Sequence, residues 1–253
     1  MPLFQFLRRQ WVIRRPFPEE WMRVLSGRVP VYRRLPEDLQ AKLKQRIAVF
    51  MDEKLFEGCG GLTLTEDMRL IIAAHACMLI LEEPSDYYPS LQSVLVYPSD
   101  YMGAVYDVDS GGVVTEGFEP RSGESWHPGN IVLSWEDIQN GLRNPSDSRN
   151  LIYHEFAHQL DYRYGLSAGI TPDGETELED EWAQALAEGY RSHLRHIQRG
   201  QQTLLDPYGA ENPAEFFAVL TECFLEQPVK LRREHSKLYR LLCEFFKFEP
   251  GGW

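Results

Sequence analysis

Long apolar runs are missing from this 253-residue chain. The longest, LIIAAHACMLIL at 70–81, falls far short of the ~20 residues that cross a bilayer. The opening MPLFQFLRRQWVIRRPFP breaks every apolar stretch with arginine, so it lacks the continuous core of a secretory signal. Both absences predict a cytoplasmic protein with no membrane partner. Cysteine is scarce too. Cys59, Cys77, Cys223 and Cys243 lie far apart with no CxxC pair, which argues against a disulfide framework or a cysteine zinc site and predicts reduced, buried thiols. Basic residues are in deficit, 26 against 38 acidic, for a net charge of −12. Phosphate neutralisation needs clustered cations, so nucleic acid is not expected as a direct partner.

The positive charge that exists gathers at one end. Residues 1–34 hold Arg8, Arg9, Arg14, Arg15, Arg23, Arg28, Arg33 and Arg34 against Glu19 and Glu20, about +6, which leaves about −18 on the rest. Residues 1–35 therefore read as a basic N-terminal arm that either folds back on its own acidic body or docks an acidic partner. Residues 36–253 read as a single domain, because 43% hydrophobic residues suffice for one large core.

Periodicity predicts the elements. Positions 36–58 carry Leu39, Leu43, Ile47 and Phe50 at helical spacing and end near Gly58. Positions 65–83 read as a core helix with Thr65 as N-cap, Pro84 as stop and His75 as a packing residue. The middle changes character: SVLVYP (93–98), GGVVTEGFE (111–119) and NIVLSW (130–135) are short β-rich runs bounded by turn residues. Helical patterns return at 146–164, 176–198, 213–226 and 231–247. The expected fold is α+β, mostly helical, with helices on both sides of a small mixed sheet.

The stretch NLIYHEFAHQLDYRYG, 150–165, holds the chemistry. Residues four apart on a helix stack on one face, so His154 and His158 can reach one tetrahedral ion at ~2.0–2.1 Å. Glu155, rotated by ~100°, lies beside that ion, where a carboxylate serves as general base rather than ligand. Leu151, Ile152, Tyr153, Phe156, Ala157 and Leu160 make the helix largely buried, and two imidazoles and a carboxylate left there without a cation would be costly. A metzincin would carry Gly at 161 and His at 164; Asp161 and Tyr164 exclude that class. Asp161 is read either as an acceptor for an imidazole N–H or as a solvated or capping aspartate.

A third ligand must come from a later helix. The segment YGAENPAEFFAVLTECFLEQP starts cleanly at Asn212–Pro213 and sets Glu215 and Glu222 on one face of a bulky apolar helix. Glu215 and Glu222 are both candidates, as are other acidic residues of 176–190, and Glu215 could instead complete a capping box with Asn212. Tyr208, in the loop entering this helix, could hydrogen-bond an oxyanion. NIVLSW is the candidate edge strand for binding a substrate backbone. His127, before a proline, reads as an exposed turn residue rather than a ligand.

HEFAHQLD, followed by ENPAEFF, whose Glu215 stands 57 residues after His158, with YGA just upstream, together with VLSWEDI, resembles the Mlc titration factor A family of bacterial zinc peptidases. A more distant likeness is to the catalytic domain of anthrax lethal factor. The resemblance covers most of the chain. It implies a zincin-like domain of the gluzincin type over 36–253, with one Zn2+ per chain on His154, His158 and Glu215, Glu155 as general base and Tyr208 at the oxyanion. It also implies aminopeptidase-like action on a peptide substrate, and binding to the glucose-regulatory repressor Mlc. The competing expectation is a non-catalytic repressor-binding regulator with a structural or vestigial zinc site. Its support is the basic arm and the aromatic C-terminus EFFKFEPGGW. Structural zinc sites usually close with four protein ligands, whereas this set offers three beside a base, which favours the enzyme.

Overall fold

The computed structural model describes residues 3–83, 87–108, 114–121, 123–126 and 129–253. Pro84, residues 111–113 and His127, all given a role above, lie outside them. The chain opens with three helices, α1 (Leu3–Ile13), α2 (Glu19–Arg28) and α3 (Pro30–Arg34). Val12, Leu25, Val29, Val31, Tyr32 and Leu35 belong to the same buried core as the rest of the molecule. Several of the arm's arginines meet the acidic body: Arg9 pairs with Glu53 at 2.6 Å, Arg8 with Asp52 at 2.8 Å and Arg28 with Asp67 at 3.3 Å. The side of α1 that carries Arg9, Val12 and Ile13 faces inward, while Leu3, Phe4, Leu7 and Trp11 stay exposed.

Helix α4 (Glu37–Glu53) ends five residues earlier than its periodicity predicts, because Leu55–Gly58 forms a strand, β1. Lys54 turns the chain between them: its buried ammonium donates to the carbonyls of Tyr88 and Leu91, both at 2.7 Å, and so ties the helix end to the segment leading into the next strand. Helix α5 (Glu66–Met78) starts as expected, with Thr65 Oγ1 accepting from Met68 N. His75 is a core residue. Its Nδ1 lies 2.8 Å from the Ile71 carbonyl, its ring meets that of Tyr153 at a tilt of 56°, and burial lowers its pKa to about 4.

Strands β2 (Ser93–Tyr97), β3 (Tyr101–Val108), β4 (Val114–Arg121), β5 (Gly123–Trp126) and β6 (Asn130–Ser134) follow. One sheet runs β1-β2-β6-β5, its first three strands parallel and β5 antiparallel to β6. Strands β3 and β4 form a separate antiparallel pair, Tyr101 opposite Arg121. The four-stranded sheet is mixed, but NIVLSW is not its edge. Strand β6 is paired on both sides, and the strand at the end of the sheet, packed beside the metal-helix candidate, is β5. Residues Ile131–Ser134 are buried at every position, so both faces of β6 are covered.

After α6 (Trp135–Arg143) comes α7 (Leu151–Tyr164), capped by the Asn150 side chain on Tyr153 N and stopped by Gly165 at φ 64, the left-handed conformation that glycine adopts without strain. The segment 146–150 is loop rather than helix. Helix α8 (Glu181–Gln198) starts at an Asp180 cap, five residues later than its pattern suggests. Helix α9 (Pro213–Glu226) is buried along nearly its whole length. The last expected helix is two, α10 (Pro228–Glu234) and α11 (Ser236–Phe246), divided at His235, whose φ of −132 and ψ of 54 are not helical. Trp253 packs on Phe248 at 5.2 Å between ring centroids. All four cysteines are free, Cys77 and Cys223 buried, Cys59 and Cys243 only partly so. Among the described residues no helix is long and apolar enough to cross a membrane.

Candidate metal centre

Helices α7 and α9 pack against each other and bring the candidate residues together. The Asn150 cap and the i, i+4 spacing place His154 and His158 on one face of α7, with ring centroids 4.9 Å apart. From α9, Glu215 reaches both: its Oε2 lies 2.8 Å from His154 Nε2 and 3.3 Å from His158 Nε2, and the two Nε2 atoms are 3.2 Å apart. Glu215 stands at this point because Asn212 accepts from the N–H groups of Ala214 and Glu215, both at 3.0 Å, and so fixes the first turn of α9. Its carboxylate goes to the imidazoles.

Donors at ~2.0–2.1 Å from one tetrahedral ion stand ~3.3 Å from one another. Two of the separations here, 3.2 and 3.3 Å, match that spacing, the third, a hydrogen-bond contact of 2.8 Å, need open by only about 0.5 Å, and the three residues form a group that could hold a metal ion. Their side chains are 13%, 18% and 16% exposed, so the cluster is recessed yet reachable from solvent.

Electrostatics point the same way. Burial works against charge on both, but the hydrogen bonds between them win: they hold Glu215 down at about 2, and with Glu222 they push His154 well above its ordinary value. The site therefore favours a cation, proton or metal, between its donors. Glu155 is buried on the same helix, and its Oε2 has no hydrogen-bond partner among the described residues. Burial lifts its pKa to about 7, which suits a group that must take up and give back a proton near neutrality.

Tyr208 lies on a short 3-10 turn, Pro207–Ala210, its ring centroid 5.8 Å from that of His154. Asp206 caps this turn by accepting from Tyr208 N at 2.9 Å and is itself bound by Arg149 at 2.9 Å; His193 Nε2 meets the Asp206 carbonyl at 3.1 Å. Gly209 lets the turn sit tight on α9, since a Cβ there would fall 2.5 Å from Val219 Cγ2.

Asp161 is not an acceptor for an imidazole. It accepts instead from Ser167 N and Ser167 Oγ, both at 2.6 Å, at the C-terminal end of α7. The acceptor of His154 Nδ1 is Glu222, at 2.8 Å. Sequence reasoning held Glu222 only as an alternative ligand; the signal available was its seven-residue offset from Glu215 on a largely apolar helix. Glu226, one turn on and pushed up to about 7 by burial, was not singled out.

Two imidazoles and a carboxylate converging from two helices, with a buried free carboxylate oxygen beside them, define a candidate metallohydrolase centre. A family model described as glucose-regulated metallo-peptidase M90 matches residues 4–247. The chain belongs to this family of metallo-peptidases, which implies a metal cofactor. It is 38% identical over 244 residues to an uncharacterized protein of Synechocystis, covering 96% of this chain and 89% of that one. It is 31% identical over 246 residues to proteins called Mlc titration factor A from Yersinia pestis and Yersinia pseudotuberculosis, covering 95% of this chain and 89% of theirs.

Proposed function

We propose that the chain is a zinc-dependent, aminopeptidase-like peptidase of the cytoplasm with a zincin-like fold. The observation that carries this reading is the meeting of His154, His158 and Glu215 around one point beside the orphaned oxygen of Glu155. In it, the first three residues hold one Zn2+. A zinc ion bound there supplies Lewis acidity and lowers the pKa of water towards ~7. Glu155 accepts the proton of the attacking water and delivers it to the leaving amine. Tyr208 donates a hydrogen bond to the oxyanion from a turn held by Asp206 and His193. The substrate main chain lies along β5, the end strand beside α7, where backbone hydrogen bonds give affinity with little side-chain selectivity.

The test is zinc content per chain together with chelator-sensitive hydrolysis of amino-acid and short-peptide p-nitroanilides. One zinc and hydrolysis abolished by chelator support the reading; a chain without zinc, or hydrolysis that chelators leave untouched, defeats it.

A second role is supported by the relatives called Mlc titration factor A: binding of the repressor Mlc, by this chain, with or without catalysis. Pull-down of purified Mlc by wild type and by Glu155→Gln distinguishes the two roles, because a regulator independent of chemistry binds equally in both.

A further inference from the structure

Helix α9 delivers more than Glu215 to the metal-helix candidate. Glu222, seven residues further along, presents both carboxylate oxygens to the start of α7. Its Oε1 lies 2.8 Å from His154 Nδ1, and its Oε2 accepts from the backbone N–H of Asn150, the residue that caps the helix. The His154 ring is therefore gripped at both nitrogens by one helix, Nε2 by Glu215 and Nδ1 by Glu222. One turn beyond, Glu226 accepts from Ser148 N at 3.1 Å and from Asn150 Nδ2 at 3.0 Å. Both glutamates hold the same loop, but only Glu222 touches an imidazole.

We propose that Glu222 is a positioning residue of the metal centre, keeping the proton of His154 on Nδ1 so that Nε2 faces Glu215 and His158 as a ready donor. This inference rests on reading those three residues as the metal ligands. With carboxylate oxygens 2.8 Å from both nitrogens, the tautomer is decided only when a metal takes the place of the proton between Nε2 and Glu215; Glu222 is then the acceptor that keeps the remaining proton on Nδ1. The Glu222 side chain is 6% exposed against 13% for His154, so water does not compete for the bond. A carboxylate this deep requires donors, and it has one on each oxygen. Because Glu215 and Glu222 ride on one helix, ligand and positioning group move together.

The experiment measures zinc affinity by competition with a chromophoric chelator, and the visible spectrum of the Co2+-substituted protein, in wild type, Glu222→Ala, Glu222→Gln and Glu226→Gln. Expected for Glu222→Ala is a loss of about 10- to 100-fold in zinc affinity with altered cobalt bands. Glu222→Gln loses the charge and keeps one acceptor oxygen where two are used, so it should show a smaller loss of affinity with cobalt bands shifted in the same direction. Glu226→Gln anchors the loop without touching the ring, so its affinity stays within roughly 3-fold of wild type, below the range expected for a lost ligand support. Unchanged affinity in Glu222→Ala overturns the proposal. So do equal losses in Glu222→Ala and Glu226→Gln, which would reduce Glu222 to a loop anchor. If Glu222→Ala fails to fold, the cobalt spectra decide: altered bands in Glu222→Gln with unaltered bands in Glu226→Gln support the proposal, and identical spectra overturn it. A wild type that binds neither ion sinks the ligand assignment as well, an outcome distinct from wild-type binding that the Glu222 variants leave unchanged.

Discussion

Glu155→Gln separates the chemistry of the site from its stability. Burial lifts the Glu155 carboxyl from 4.5 to about 7, which corresponds to roughly 3 kcal/mol between its two protonation states. The folded chain binds this proton more tightly than the unfolded chain does. Its contribution to stability is therefore complete below about 4.5 and is lost as pH rises through about 7. Glutamine has the same shape and no charge, so it escapes that loss. Its amide, buried where Oε2 has no partner among the described residues, gives back ~1–2 kcal/mol. The balance at pH 8 is about 1–2 kcal/mol in favour of the variant, or ~2–8 °C in melting temperature for a chain of this size. Metal-stripped Glu155→Gln should thus melt above wild type at pH 8, the advantage should vanish between about pH 5 and 6, and near pH 4.5 the variant should be the less stable by the ~1–2 kcal/mol of its amide. In the zinc-loaded protein the same change should leave metal content unaltered and lower hydrolysis ~10²- to 10⁴-fold, the range for loss of a general base. Calorimetry across pH and p-nitroanilide hydrolysis read the two effects. Hydrolysis within tenfold of wild type would refute the assignment of Glu155 as base, and a melting difference independent of pH would refute its buried, proton-holding state.

Other consequences are simpler to state. Glu215→Ala should bring bound zinc per chain close to zero under dialysis, measured by elemental analysis; full occupancy would remove Glu215 from the ligand set. Tyr208→Phe should keep zinc and lower kcat ~10²- to 10³-fold, as loss of an oxyanion donor does; unchanged kinetics would reassign the residue. Gly209→Ala brings a Cβ to 2.5 Å from Val219 Cγ2 and must shift the turn that carries Tyr208; zinc should stay while kcat falls, and a variant with wild-type kcat would show that the turn's position does not matter. Arg9→Ala leaves Glu53 largely buried without the guanidinium that binds both its oxygens at 2.6 and 2.8 Å; denaturant unfolding should show a loss of about 3 kcal/mol, and no change would mean that α1 is not held by this pair.

The legible parts of the molecule were the local ones. A three-to-four-residue spacing brought out α5, α7 and α9, and Thr65 and Asn212 marked where two of them begin, because cap chemistry depends on residues within one turn. Strand β1 was hidden because Leu55–Gly58 continues the apolar spacing of α4 and is too short to show its own period; only pairing with β2 makes it a strand. The rank of β6 within the sheet was equally hidden, since a strand's sequence does not state whether one or two neighbours bond to it, and β5 is four residues long.

The sequence alone determined that two imidazoles and a carboxylate share the α7 helix, because the geometry of one helix is set by bonds between near neighbours. Spacing left the distant carboxylate open among Glu215, Glu222 and other acidic residues, and only the family resemblance named Glu215. Packing decided that: α9 docks so that Glu215 meets both Nε2 atoms while Glu222 takes Nδ1 of His154, and Asp161, which shares their face on the wheel, turns to Ser167 instead. Contacts between residues some sixty positions apart exist only once two helices have buried their apolar faces against each other, and the angle at which they do so is a property of the whole core.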